Sequence, residues 1–177
     1  MIEVEAKAKI FKPRAFIERA RRLGIFKGRE RKVDEYFSLE SLRKYPKESL
    51  RIRKRKGFYE VNFKRRISYV KGVYAKKEVE FRVSDIKGFL SLIQNFGFKK
   101  WLIKEKESEI YELKKNFHIE INTVKGLGSF IEVEYLALPS EIKKAREEVL
   151  EVMSKLGIGE NEIVKEGYTR MLWDKRH

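Results

Sequence analysis

The chain has 177 residues, with 42 Lys and Arg against 27 Asp and Glu, a formal net charge of +15. The absence of cysteine excludes disulfides, thiolate zinc sites and a cysteine nucleophile, and two histidines leave little for a His-rich metal centre. Hydrophobic residues at 42% exclude wholesale disorder, and so large a basic excess predicts an anionic partner.

The length suits one domain over 1–177. No apolar run reaches the roughly 18 residues of a membrane span. The opening Met1-Ile2-Glu3 carries acid at once, unlike a signal peptide, so the expectation is a soluble, cytoplasmic protein. Abundant Lys and Glu without Cys also fits a thermophile surface.

Period-two alternation predicts a first strand over 2–11. A helix follows from Pro13 to before Gly24, with Phe16, Ile17, Ala20 and Leu23 as its apolar stripe. Strands are then predicted over 30–39, 49–56, 58–66 and 73–83, with a turn at Lys56-Gly57-Phe58. A second helix, capped by Ser84 and aided by Asp85, buries Phe89, Leu90 and Ile93 before Gly97. Strands over 99–113, 116–124 and 129–137 come next, with Lys115-Asn116 between the first two. A third helix, capped by Ser140, carries Ile142, Ala145, Val149, Val152 and Leu156, and a short one follows near 168–175. The class is α+β with a largely antiparallel sheet.

Most of these strands are apolar on one face and ionisable on the other. Glu3, Glu5 and Lys7 oppose Ile2, Val4, Ala6 and Ala8. Arg51, Arg53 and Arg55 oppose Leu50 and Ile52; Asn62 and Lys64 oppose Val61 and Phe63; Lys104 and Lys106 share a face; His118, Glu120 and Asn122 oppose Phe117, Ile119 and Ile121. Glu-Val-Glu occurs at 3–5, 78–80 and 132–134, always in a predicted strand. A sheet packed on helices with its charged face in water explains any single strand. For all of them together, adjacent carboxylate pairs would repel unless a cation intervened. The alternative is a barrel of about eight strands with its charged face inward. Glu clusters there would hold Mg²⁺ or Mn²⁺, and facing Arg and Lys a polyanion, the kit of phosphoryl transfer.

These residues resemble the CYTH, or triphosphate tunnel metalloenzyme, family. Glu3-Val-Glu5-Ala-Lys7 resembles its ExExK signature, Leu50-Arg51-Ile52-Arg53 its LRIR strand, and Val61-Asn62-Phe63-Lys64 the strand ending in the tunnel lysine. Glu78-Val79-Glu80 before Val83-Ser84-Asp85, the segment from Val124 to Glu134 with Gly126-Leu127-Gly128, and Gly167-Tyr168 continue the match in order. The resemblance implies an eight-stranded antiparallel tunnel flanked by helices, binding a triphosphate such as ATP, thiamine triphosphate or tripolyphosphate. It implies class IV-type adenylyl cyclase or triphosphatase chemistry. Lys7 and Lys64 would be the catalytic lysines, gripping phosphate with Arg51 and Arg53; Lys104 and Lys106 join them as inward cations. Lys7 alternatively pairs with Glu3 or Glu5. Glu5, Glu132 and Glu134 would ligate the metal, supported by Glu3, Glu78 and Glu80. Two positions depart from the pattern: Ser108 stands for an Arg, and Asn122 for an Asp, its amide oxygen still able to serve a metal but more weakly.

Two rival readings remain: a nucleic-acid-binding module built on the basic run 51–56 and on Lys64-Arg65-Arg66, and a non-catalytic polyphosphate binder. The acidic strands would repel a nucleic-acid backbone laid across them. Exposed barrel edges would let two copies pair as a homodimer.

Overall fold

A computed structural model of the chain describes residues 1–63 and 67–176 with their side chains. The elements are β1 (Ile2–Lys9), α1 (Pro13–Leu23), β2 (Ile25–Ser38), β3 (Leu50–Lys54), β4 (Tyr59–Val70), β5 (Val73–Val83), α2 (Ile86–Asn95), β6 (Lys99–Lys114), β7 (Phe117–Val124), β8 (Gly128–Ala137), α3 (Ile142–Lys155) and α4 (Tyr168–Asp174). The strands close into an antiparallel barrel in the order β1-β5-β4-β3-β2-β6-β7-β8, with β8 returning to β1. The α+β class and the eight-stranded antiparallel tunnel are as expected. Because the ring closes, the described strands offer no free edge for pairing two copies, so that route to a homodimer falls away.

Burial decides between sheet and barrel. On β1 the ionisable residues are as hidden as the apolar ones: Glu3, Glu5 and Lys7 are 2, 7 and 2% exposed, beside Val4 at 0%. Both faces of β1 are therefore interior, one to the helix-covered core and one to the lumen.

The outward apolar face of β1, β7 and β8 (Val4, Ala6, Ala8, Ile119, Ile131 and Val133) packs under α1 and α3. Small residues there, Ala6, Ala8 and Ala75, meet Ala145 and Val149 of α3 and let the helix lie close. A second core lies under α2, where Ile93, Phe89 and Leu90 cover Phe37, Ile52 and Val61. Between them the outer wall of β2 and β6 carries ion pairs in place of a helix: Arg29–Glu109 at 2.6 Å, Arg31–Glu105 at 3.0 Å and Lys125–Glu105 at 2.7 Å.

Turn chemistry sets the hairpins. Lys71 and Gly72 both take positive φ (50° and 82°), the two-residue turn whose twist matches the strands it joins. Gly72 is also required by contact, since a Cβ there would lie 2.7 Å from Ile163. Ile163 belongs to a strap that runs along the end of β1. It bridges Ala8, and the Val164 N–H donates to the Lys7 carbonyl at 2.8 Å. The strap delivers Tyr168 against Phe130 and Val124 at one end of the barrel.

Three sequence expectations need correction. The cap of α2 is Asp85, whose carboxylate accepts from the Gly88 N–H at 3.0 Å, rather than Ser84. Helix α3 is entered through a 3-10 turn, Pro139–Glu141, with Glu141 accepting from the Leu138 N–H, so Ser140 caps nothing. Strand β2 begins at Ile25, five residues before the predicted 30, because pairing with β6 outlasts the apolar alternation.

Replacing Ile131, which is fully buried beneath the helices, by Ala should lower the unfolding free energy by about 3 kcal/mol with an unchanged denaturant slope, read by urea titration.

Candidate active site

Register assigns the lumen. Glu5 stands opposite Glu134 and Lys7 opposite Glu132 across β1–β8; His118 faces Glu134 and Glu120 faces Glu132 across β7–β8. In the ring β2 lies diametrically opposite β1, and β3 opposite β8. The lumen forms a cavity of about 1190 Å³ that opens to solvent.

The β1–β8 wall is acidic. Glu3, Glu5 and Glu134 each bring a carboxylate oxygen within 4.8 Å of the others. Hard oxygen donors in this number suit Mg²⁺ or Mn²⁺. Lysines balance the cluster: Lys7 donates to Glu5 at 3.1 Å, and Lys76 hydrogen-bonds Glu5 and lies 3.6 Å from Glu3. Burial works against the Lys7 charge, yet Glu5 and Glu132 hold its pKa above the ordinary lysine value. Lys7 therefore has the ion-pair arrangement that the sequence left open. His118 Nε2 lies 3.9 Å from Glu134.

Glu132 lies apart from that cluster. It accepts from Lys106 at 3.1 Å and from Asn122 Nδ2 at 2.6 Å. Glu80 lines the cavity toward β4, within 3.3 Å of Asn62 Nδ2 and 3.8 Å of Arg51. Glu78 lines the same cavity. Lys64 lies outside the described residues.

The opposite wall is basic, and each cation there has a carboxylate partner. Arg53 grips Asp34 with two bonds of 2.5 and 2.9 Å, and Lys104 reaches the same carboxylate at 2.9 Å. Burial opposes the Asp34 charge, but Lys104 and Arg53 hold it well below the usual carboxylate range. Arg51 donates to Glu60 through one terminal nitrogen at 2.7 Å. Its buried Nε has no hydrogen-bond partner among the described residues. Lys106 and Lys32 share Glu120, at 2.7 and 2.6 Å. Burial again opposes ionisation, and again Lys106 and Lys32 overcome it, so Glu120 stays charged far into acid.

Lys32, Asp34, Glu60 and Lys76 were not singled out from the sequence. On β2 the faint signal was the spacing Lys32-Asp34-Tyr36. It is masked because the outer face there, Arg29, Arg31, Val33 and Glu35, is also solvated and mostly charged.

The two departures from the family pattern prove to be one contact. Ser108 and Asn122 are register partners, and the Ser108 hydroxyl donates to Asn122 Oδ1 at 2.6 Å. Because Nδ2 must donate to Glu132, the amide orientation is fixed and its oxygen is already engaged. Asn122 is thus a link from Ser108 to Glu132.

One end of the lumen is stopped by Tyr168, 6% exposed, edge-on to Phe130 at 5.0 Å between centroids. The ammonium groups of Lys7, Lys104 and Lys106 lie 5.6, 5.8 and 5.9 Å from its ring centre. Burial, reinforced by Glu132, pushes its hydroxyl pKa well above 10, so the phenol is neutral.

A closed barrel with an acidic wall facing a basic one defines a tunnel protein for anionic ligands. Comparison with known proteins agrees: residues 1–168 match the CYTH domain model, and the chain belongs to that family. This is a family of metal-dependent tunnel enzymes acting on triphosphates. The chain is 31% identical over 176 residues to a Methanocaldococcus jannaschii protein bearing a provisional adenylate cyclase name, covering 97% of this chain and 98% of that one. It superposes on the PH1819 protein of Pyrococcus horikoshii with a TM-score of 0.82 at 28% identity, covering 98 and 99% of the two chains. In fold alone it also matches a Hippeastrum adenylyl cyclase homologue described as having dominant triphosphatase activity (TM-score 0.61, 14% identity, 99 and 95% covered). None of the helices described is long and apolar enough to cross a membrane.

The depressed pKa values of Asp34 and Glu120 mean that their contribution is complete above about pH 4 and is lost as pH falls toward the folded-state values. The melting temperature should therefore hold from pH 8 to 5 and fall steeply below pH 4. Asp34→Asn, which strands Arg53 and Lys104, should cost about 3–5 kcal/mol at pH 7 and show a shallower acid slope. Separately, Asn122→Asp places a carboxylate against Glu132 and should lower the melting temperature. Adding Ser108→Arg should recover part of that loss, a coupling measured by a double-mutant cycle.

Proposed function

We propose that this protein is a metal-dependent phosphoryl-transfer enzyme acting on a triphosphate held in the barrel, the whole of 1–177 serving as one tunnel domain. The observation that carries the reading is the facing of the two walls: Glu3, Glu5 and Glu134 on one side, and Arg51, Arg53 and Lys104 on the other, across one shared cavity.

Mg²⁺ or Mn²⁺ held by Glu3, Glu5 and Glu134 would supply charge neutralisation and Lewis acidity at phosphate oxygens. The remaining work falls to the chain's own groups. Arg51 offers its uncommitted Nε–H to an oxyanion, in a site where a charge-assisted hydrogen bond is strong. Lys104, Lys106 and Arg53 supply fixed positive charge, Lys7 adds charge at the junction of the two walls, and Lys64 belongs with them by the family resemblance. The closed wall limits water and fixes the phosphate chain relative to the acid cluster, so positioning and charge stabilisation provide most of the rate. Glu132, held by Lys106 and Asn122, keeps Lys106 aimed into the lumen. Glu78 and Glu80 carry supporting negative charge on β5. Attack by water on the terminal phosphorus gives a triphosphatase; attack by a ribose 3′-hydroxyl on the α-phosphorus gives a cyclase and pyrophosphate.

Product analysis with ATP, thiamine triphosphate and tripolyphosphate, each with Mg²⁺ or Mn²⁺ and an EDTA control, distinguishes the two. Glu134→Gln should cut metal-dependent turnover about a hundredfold or more. It should leave the melting temperature nearly unchanged, since the side chain is partly solvated. Full activity in this variant would overturn the site assignment.

A further inference from the structure

Beside the plugged end of the lumen is an aromatic cluster that phosphate chemistry does not use. Tyr36, Tyr45 and Trp173 each stand against Trp101. Ring centroids are 5.9 Å apart for Tyr36–Trp101, 5.6 Å for Tyr45–Trp101 and 5.8 Å for Trp101–Trp173. All four are only half-buried. Their position is built. The pairing of β2 with β6 slips between Tyr36 and Phe37, so that Trp101 is the extra residue on β6. Trp101 Nε1 donates to Ser49 at 3.1 Å, and the Tyr45 hydroxyl is hydrogen-bonded to Thr169 at 2.8 Å. Tyr36, Tyr45 and Trp101 line the same cavity as the charged walls. The junction is Lys104, whose ammonium donates to the Tyr36 hydroxyl at 2.9 Å while also pairing with Asp34.

We propose that this aromatic recess binds the heteroaromatic ring of an organic triphosphate, and that it favours a neutral nucleobase over a cationic ring. This rests on the triphosphate reading of the tunnel and extends it to the substrate's other end. An apolar aromatic wall that stays partly open, joined by one lysine to a phosphate-binding lumen, matches the two halves of a nucleotide: a flat π-surface and a polyanion. The choice of a neutral base follows from charge. Lys104 lies on the inner side of the recess, 5.5 Å from the Tyr36 ring centre, and Arg170 lies over Tyr45 at 5.1 Å. Both aromatic faces are thus already shared with cations, and a permanently cationic thiazolium would be repelled where a purine or pyrimidine would not. Inorganic tripolyphosphate would use the lumen alone.

The test is calorimetric binding of ATP, thiamine triphosphate and tripolyphosphate to the full chain, wild type and Trp101→Ala, with Tyr45→Ala as a second variant. The expected result is that each variant raises the ratio of the ATP to the tripolyphosphate dissociation constant by about tenfold, the loss of one stacking partner. Wild type should bind ATP more tightly than thiamine triphosphate. Retained tripolyphosphate binding shows that a variant is folded. An unchanged ratio in both variants, with both ligands bound, would overturn the recess while leaving the tunnel reading in place. Tighter binding of thiamine triphosphate would overturn the preference for a neutral base. Failure of wild type to bind any of the three would overturn the tunnel reading and the recess with it.

Discussion

Ionised side chains inside a closed barrel cannot be left to solvent, and the architecture of the lumen follows from the need to neutralise them. Taking a carboxylate or an ammonium out of water costs several kcal/mol, recovered only by close, well-oriented partners. Nearly every inward cation accordingly has a carboxylate within reach: Asp34 serves Arg53 and Lys104, Glu120 serves Lys32 and Lys106, Glu60 serves Arg51 and Arg55. The pairing is what keeps Asp34 and Glu120 ionised against their burial. It also separates the lumen into an acid cluster on β1 and β8 and a basic wall on β2, β3 and β6.

That separation turns a structural necessity into a binding device. The same ion pairs that stabilise the lumen hold its cations at fixed positions. In the function proposed above, a triphosphate would exchange carboxylate partners for phosphate oxygens without building a site from disordered side chains. Arg51 illustrates the mixture of the two demands. One terminal nitrogen is committed to Glu60, while its buried Nε has no partner among the described residues. The Ser108–Asn122 contact shows the same economy in neutral form. It satisfies two buried polar groups and steadies Glu132 without adding charge to a crowded wall.

Much of this was legible in the sequence, for a definite reason. Where one strand face meets a helix and the other meets the lumen, alternation is clean, and β1, β3, β7 and β8 were read with their charged faces correctly grouped. Where the outer face is itself solvated, alternation vanishes. Lys32 and Asp34 therefore went unnoticed, and β2 was started at 30 instead of Ile25. Closure was an inference from the accumulated cost of repelling carboxylates, since no local pattern encodes it. The partners of particular groups were out of reach. Glu132 stands with Lys106 and Asn122 while Glu3 joins Glu5 and Glu134, a division set by barrel stagger and not by the shared Glu-Val-Glu spacing. Trp101 came to the cavity through a bulge, which period-two reasoning cannot place.

The seat of β1 between β5 and β8 has a consequence for how the molecule is made. The first of the barrel strands in chain order carries Glu3, Glu5 and Lys7, yet one of its two neighbours is the last strand of the ring. Its partner register, from Ile2 with Ala137 to Lys9 with Phe130, spans most of the chain. A nascent polypeptide therefore holds its acid cluster open until β8 arrives, and no tunnel exists before then. Such long-range pairing is slow to form. It also makes assembly of the Glu3, Glu5 and Glu134 cluster and completion of the barrel a single closing event.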